Sequence, residues 1–479
     1  MKVPRLALAL VAIGASLLPL TDAGAVSAPR AGELALPHPN TGLNQGYLPF
    51  QSCSSLGNCA VTGIYVAAHG YTAGVIETQV KGVWATPLTV TPPTGYSAAK
   101  GVNMEGLACP ADGMCAALGQ YAAAGGLLPF VKSDVAGTWQ RSVELALPAN
   151  ATATGESATP HAIDCASAGN CTVVGTYTTD TTTFTTEGFV ANETKGVWHR
   201  ALEVRLPANA NANPLVSLAQ VSCWHPSSCV AVGSYVDANN VSRAVVLNEV
   251  AGVWKRAVAL GLPGNASAFA GAAFNEVACT ATGSCLAAGT YNTFTGAVEP
   301  LLALSTDGVW DRALSVSLPQ RATNPRALLY GFKGVACAST GNCAMGGQYV
   351  DKNGQYQGFL VNVINGVIEH ARELALPTGA IQAGHNGGVV SVSCPAVGTC
   401  VVGAAYEDAA KKYEAYLVGE THDVWSPGVT VRLPGTATTV GVAGGIYSVQ
   451  CFSARACQVS GSYASSASRY DGFALLTSA

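Results

Sequence analysis

Sixteen cysteines fall into eight pairs, each with five residues between its members, and this spacing constrains the 479-residue chain more than any other feature. The pairs are Cys53 and Cys59, Cys109 and Cys115, Cys165 and Cys171, Cys223 and Cys229, Cys279 and Cys285, Cys337 and Cys343, Cys394 and Cys400, and Cys451 and Cys457. Their first members follow one another at intervals of 56, 56, 58, 56, 58, 57 and 57 residues. An even count with strict local pairing favours eight short-loop disulfides over metal sites, because zinc ligands usually stand two to four residues apart and include histidine. No metal and no cofactor is expected.

The period carries further marks. Four residues after the second cysteine stands glycine in seven units, with Ala404 the exception, and two residues further on stands tyrosine in all eight: Tyr65, Tyr121, Tyr177, Tyr235, Tyr291, Tyr349, Tyr406 and Tyr463. An apolar run such as GFV follows, then a Gly-x-Trp-like step at Trp84, Trp139, Trp198, Trp254, Trp310 and Trp425, with Ile368 in the sixth unit. Each unit closes on a Leu-Pro step such as VELALP. The segments are short, apolar or alternating, and separated by turn residues, so each unit reads as four strands with no room for a helix.

Four antiparallel strands per unit, repeated radially, make a β-propeller blade. The expected fold is all-β: one eight-bladed β-propeller over residues 26–479, built of repeats of about 57 residues, with one disulfide stapling the first hairpin of each blade. The eighth unit stops at DGFALLTSA without its Gly-x-Trp strand, while VSAPRAGELALP near the amino end matches the missing tail. An amino-terminal strand is therefore expected to complete the last blade and cover the open edge of the ring.

The repeated pattern V-S-C-x5-C-x-A-V-G-x-Y, seen in VSCWHPSSCVAVGSY and VSVSCPAVGTCVVGAAY, resembles the Cys-paired repeats of secreted bacterial proteins grouped with BNR and WD40-like propellers. The resemblance covers nearly the whole chain after residue 25. It implies the propeller architecture and no particular activity, because propellers serve binding, scaffolding and catalysis alike.

Composition bounds the partners. Residues 1–25 carry Lys2 and Arg5, an apolar run and an Ala23-Gly24-Ala25 step, which reads as a signal peptide and directs the protein outside the cytoplasm: extracellular, cell-surface associated or periplasmic. No later stretch has 18 uninterrupted apolar residues, so no membrane span is expected. With 11% charged residues and a net charge of −4, nucleic acid is not an expected partner. A polysaccharide or a cell-surface protein is, with the propeller itself a monomer.

Signatures of chemistry are sparse. STDGVW and SDVAGTW are degenerate matches to the Asp-box of sialidases. Arg141, Arg200, Arg256 and Arg312 each stand two residues after the Trp of their unit, which marks a repeated ladder and not an arginine clamp. The loops at Asp237 and Asp351 lack full calcium-ligand spacing, and sequons occur at Asn150, Asn192, Asn240 and Asn265. LPGTA at Leu433 belongs to the Leu-Pro step.

Residues that break the repeat are the better functional candidates. The approach to the first cysteine lies on the innermost strand, near one channel mouth, and there the units differ: Glu105, His161, Gln220, Glu276 beside Asn275, Lys333 and Tyr447, with Tyr330, Phe332, His385 and Asn386 in the same segments. Such a mixture can hold a polar ligand such as a sugar. Asp164 stands before Cys165 where most units have Ser or Ala, and is expected to hydrogen-bond a neighbouring turn. Trp224 and His225 lie inside a Cys loop, on the opposite face, as a protein-contact patch or as packing over the disulfide. The sequence thus points to a secreted or cell-surface binding module without evident catalysis. A glycan-active hydrolase or lyase is the alternative, with only Glu105 and Glu276 as mouth carboxylates, three blades apart. A purely structural envelope protein is the third reading.

Overall fold

The computed structural model describes residues 31–34, 46–67, 70–93, 101–123, 125–152, 157–180, 182, 185–319, 322, 332–380, 387–410, 412–435, 445–466 and 469–477. The signal-like segment 1–25 lies outside the described residues, as do Tyr330, His385 and Asn386. Among the described residues there is no helix, and so none long and apolar enough to cross a membrane.

Eight antiparallel sheets follow one another along the chain, one per cysteine pair, and form the eight blades of a propeller. In blade 4 the strands are Ser217–His225, Ser228–Val236 and Ser242–Val250, with an outermost strand in two short pieces, Val253–Trp254 and Val258–Ala259. The first strands of successive blades lie against one another all round the ring, and that of blade 8, Gly445–Ser453, lies against that of blade 1, Gly46–Ser55. They therefore line the central channel.

The ring closes as the sequence implies. Gly32–Leu34 pairs with Arg469–Thr477 through Gly32↔Ala474, Glu33↔Phe473 and Leu34↔Gly472, and so supplies the outer strand of blade 8. The Ala31 N–H donates to the Arg432 carbonyl of blade 7 at 2.9 Å, the same inter-blade bond that Ala257 makes to Arg205 at 2.8 Å and Ala313 to Gly261 at 3.0 Å. On the inner side, the Gln450 side chain of blade 8 clamps blade 1. Its Oε1 accepts from the Cys53 N–H at 2.7 Å and its Nε2 donates to the Cys53 carbonyl at 2.7 Å.

All eight disulfides form, each between cysteines near the turn of the first hairpin, with Cα atoms 3.9–4.1 Å apart. Loops this short give about 2 kcal/mol each in the chain-entropy account. Beside six of the staples the hairpin of the third and fourth strands docks: the Gly137 N–H donates to Gly113 O at 2.9 Å, Gly196 to Gly169 at 2.9 Å and Gly366 to Gly341 at 2.8 Å. A Cβ on Gly113 would stand 2.8 Å from the Gly137 nitrogen, which explains glycine in the Cys loop.

Every first strand carries a β-bulge between the channel mouth and the cysteine, for example between Leu218 and Gln220, Phe274 and Glu276, and Met104 and Gly106. The bulge drives the strand's backbone against the second strand, at the glycine four residues after the second cysteine. A Cβ on Gly63 would lie 1.9 Å from Tyr47 O, on Gly233 2.0 Å from Ser217 O and on Gly289 1.9 Å from Ala273 O. Blade 7 departs from this pattern: Ala404 replaces that glycine, and Gly388, paired with the next residue, has φ +152°.

The other periodic residues join strands and blades. The unit tyrosines are buried except Tyr65, which is half-buried, and hydroxyls among them donate outward, Tyr177 to Asn150 Oδ1 at 2.9 Å and Tyr235 to Asn209 Oδ1 at 2.8 Å. The Trp of one blade pegs the blade before it, the indole N–H of Trp310 reaching Asn248 Oδ1 at 3.0 Å and that of Trp139 reaching Thr78 Oγ1 at 3.0 Å.

Gly233→Ala should lower unfolding stability by roughly 1–3 kcal/mol through the forced backbone shift. Ala404→Gly, which meets no such approach, should cost no more than about 1 kcal/mol. Urea unfolding of the oxidised protein measures both, and equal effects would contradict the close-approach account.

Candidate functional site

The bulge decides which side chains differ around the channel. In chain order the bulged position, four residues before the first cysteine, carries Pro49, Glu105, His161, Ala219, Asn275, Lys333, Val390 and Tyr447. A bulged residue is freed from the ladder and re-aimed, so its identity is not set by sheet packing. Three of these side chains turn onto the residue before the repeat tyrosine. Glu105 Oε1 accepts from Gln120 Nε2 at 3.1 Å, His161 Nε2 lies 3.4 Å from Thr176 Oγ1, and Tyr447 Oη lies 2.8 Å from Ser462 Oγ.

Two clusters result. The first joins blades 8, 1 and 2 across the ring closure. Tyr47 and Tyr447 meet edge to face, with centroids 4.9 Å apart and planes at 76°, and Tyr47 lies within the field of Glu105. Burial raises the Glu105 carboxyl to about 7, against the hydrogen bond from Gln120, and burial followed by the Glu105 charge raises Tyr47. Tyr447 is raised to about 12, chiefly by burial. Tyr47 remains 46% exposed, so the cluster presents an aromatic edge to solvent beside a carboxyl poised at neutral pH.

The second cluster joins blades 4, 5 and 6. Glu276 is raised to about 7 by burial, while the charge of Lys333 and a hydrogen bond from Gln220 pull the other way. Asn275 Nδ2 donates to Phe332 O at 2.7 Å, tying the bulge of blade 5 to the first strand of blade 6. His161 stands in blade 3 between the clusters, its pKa lowered by burial. The structure therefore groups Gln220 with Glu276 and Lys333, and Tyr447 with Glu105. Tyr47 was missed by sequence reasoning, although it stands two residues before the bulge where the other described blades carry small or polar residues.

Other sequence candidates have structural work. Asp164 Oδ1 accepts from the Cys165 N–H at 2.8 Å and Oδ2 from the Cys223 N–H of blade 4 at 2.7 Å; burial raises this carboxyl to about 6. Ser52 and Ser222 make the same inter-blade link to Cys109 at 2.9 Å and Cys279 at 3.1 Å. Trp224 packs on the core of blade 5, its indole where a Cβ on Gly283 would lie 2.9 Å away, while His225 beside it is exposed. Arg200 donates to Leu147 O at 2.6 Å and Arg312 to Leu262 O at 2.9 Å, each reaching the Leu-Pro step of the preceding blade.

The Asp237 and Asp351 carboxylates accept N–H groups of their own loops, from Asn239 at 2.9 Å and from Asn353 at 2.8 Å. The sequon residue Asn265 accepts from Tyr291 at 2.8 Å. Among the described residues no three metal-ligating side chains cluster.

Fold and site together define a disulfide-stapled eight-bladed propeller with two polar clusters in its channel wall. No protein-family model matches the chain, and no curated protein matches its sequence. Among solved structures it is similar to a protein of unknown function from Dyadobacter fermentans (11% identity, covering 95% of this chain and 100% of that one, TM-score 0.39). It is also similar to the PL25 ulvan lyase (11% identity, covering 84% of this chain and 96% of that one, TM-score 0.42). A third is the Hadza microbial sialidase Hz136 (10% identity, covering 85% of this chain and 73% of that one, TM-score 0.37). At these identities and TM-scores the likenesses carry no argument about this chain.

Glu276 binds a proton more tightly folded than unfolded, so the stability gained by keeping it neutral is full below its ordinary 4.5 and is lost as pH rises through about 7. Glu276→Gln should therefore flatten the fall in melting temperature between about pH 5 and about pH 8 and melt above wild type at the upper end. Parallel pH profiles for the two proteins would refute the burial of this carboxyl.

Proposed function

We propose that the protein is a secreted or cell-surface binding module that holds a carbohydrate at the channel mouth without turning it over. The observation that carries this reading is the Tyr47–Tyr447–Glu105 cluster, assembled from three blades and open to solvent at Tyr47. An aromatic ring accepts the apolar face of a sugar, and the neighbouring Glu105 and Gln120 offer an acceptor and a donor to its hydroxyls. Eight disulfides fit an oxidising compartment outside the cytoplasm.

A second reading, a glycan-active hydrolase or lyase, draws on Glu105 and Glu276, since a carboxyl near 7 suits general acid catalysis. Two features weigh against it. The two carboxyls belong to separate clusters, and none of the eight first strands carries an arginine to clamp an acidic sugar.

A glycan array probed with the oxidised chain, wild type beside Tyr47→Ala and Glu105→Gln, tests both. Selective binding weakened about tenfold by Tyr47→Ala supports the binding reading. Turnover of a bound glycan, abolished by Glu105→Gln, would replace it with the enzymatic one. An array blank for all proteins would leave the purely structural role.

A further inference from the structure

Outside the channel, two of the grooves between blades at the Cys-loop face share a complete polar bridge. In the groove between blades 3 and 4, the Asn192 amide is a bridge. Its Oδ1 accepts the Trp254 indole N–H at 3.3 Å and its Nδ2 donates to Glu249 Oε1. Asn362 does the same between blades 6 and 7, accepting from Trp425 at 3.2 Å and donating to Glu420 at 2.5 Å. Between blades 5 and 6 the three corresponding positions are Leu304, Ile368 and Val363, so that groove has lost all its polar members together.

Between blades 2 and 3 only one member has changed. Ser133 stands where blades 3, 4 and 6 have Asn192, Asn248 and Asn362, while Trp198 and Glu193 remain. The Trp198 Nε1 is buried without a hydrogen-bond partner. Glu193 is 7% exposed and its pKa is raised by burial with nothing opposing, whereas at Glu249 and Glu420 the asparagine hydrogen bond pulls the other way. Successive strand residues face opposite sides, so Glu193 points back to blade 2 as Glu249 points back to Asn192. The groove holds a space of about 430 Å³, lined by Ser133, Arg141, Gly169, Glu193, Lys195 and Trp198 among others, beside about 420 Å³ in the aliphatic groove between blades 5 and 6 and about 10 Å³ in the groove that holds Asn362.

An unsatisfied indole donor and a buried carboxylate, the pair that grips an amide in the two complete grooves, thus stand without one beside a cavity of ligand size. We propose that this groove is a second binding site, selective for the acetamido group of an N-acetylated amino sugar. The acetamido carbonyl accepts from Trp198 Nε1 and its N–H donates to Glu193, in the places of the asparagine oxygen and nitrogen. The sugar ring then lies along the groove toward Arg141 and Lys195, whose donors suit its hydroxyls. The site is independent of the channel cluster and of the reading given to it.

The test is titration of the oxidised protein with N,N′-diacetylchitobiose and with cellobiose, followed by tryptophan fluorescence and calorimetry. Wild type should bind the acetylated disaccharide and not cellobiose. Ser133→Asn should rebuild the bridge and lose that binding by more than about tenfold, the weight of one hydrogen bond to a charged group. Trp198→Phe keeps the ring but not the donor and should lose a similar factor, while Lys352→Ala, on an exposed turn of blade 6, should bind as wild type. Undiminished binding by Ser133→Asn and Trp198→Phe, or no preference for the acetylated sugar in wild type, would overturn the proposal. Equal affinity for N-acetylalaninamide would overturn the sugar as the source of the amide.

Discussion

The close approach of each first strand's backbone to a glycine of the second is the contact on which the rest of this propeller depends. The disulfide pins the register of the hairpin at one end, and the extra residue of the bulge takes up the slack before the channel mouth. The bare Cα at Gly233 and its counterparts gives the bulge room to seat. With it, one residue per blade is released from the demands of sheet pairing. That residue is where the blades diverge, from Pro49 to Lys333 to Tyr447, and so the channel's chemistry rests on a steric allowance made elsewhere.

Most of the architecture was legible in the sequence because it is encoded by local, repeated marks. The cysteine pairs gave blade number and hairpin position, and the GELALP segment showed its kinship with VELALP in plain letters. The bulge was not legible, since no residue type marks it and its signal, the glycine four residues after the second cysteine, lies on the partner strand. The inter-blade pegs were hidden for a related reason. Trp254 stands far along the chain from Asn192, and only the superposition of one blade on the next brings them together. Of the candidate site residues, those at the bulge could be picked out because they varied. Their grouping into two clusters could not, because blade 8 adjoins blade 1 only when the ring is closed.

The repeats also show how a structural position becomes a chemical one. A polar triad shared between neighbouring blades is stable when complete and harmless when wholly replaced by aliphatic side chains, as Leu304, Val363 and Ile368 illustrate. Loss of a single member is different, because the remaining groups stay buried and unsatisfied. Asp134 of blade 2 stands in a related setting, its buried carboxylate facing the Gly137 and Thr138 N–H groups of its own hairpin, with Thr78 of blade 1 opposite in place of asparagine. Such half-kept networks single out particular interfaces in a ring that is otherwise nearly uniform.

The strand Gly32–Leu34 has a consequence for biogenesis. It is made more than 430 residues ahead of its partner, Arg469–Thr477. Blades 1 to 7 can each zip up from neighbouring segments as they emerge, whereas the outer edge of blade 8 is the one pairing of high contact order. At about 5–20 residues per second, that short segment waits tens of seconds for its place. Until it arrives, the last blade presents an unpaired edge, and closure of the ring is the step most open to proteases and to exchange between chains.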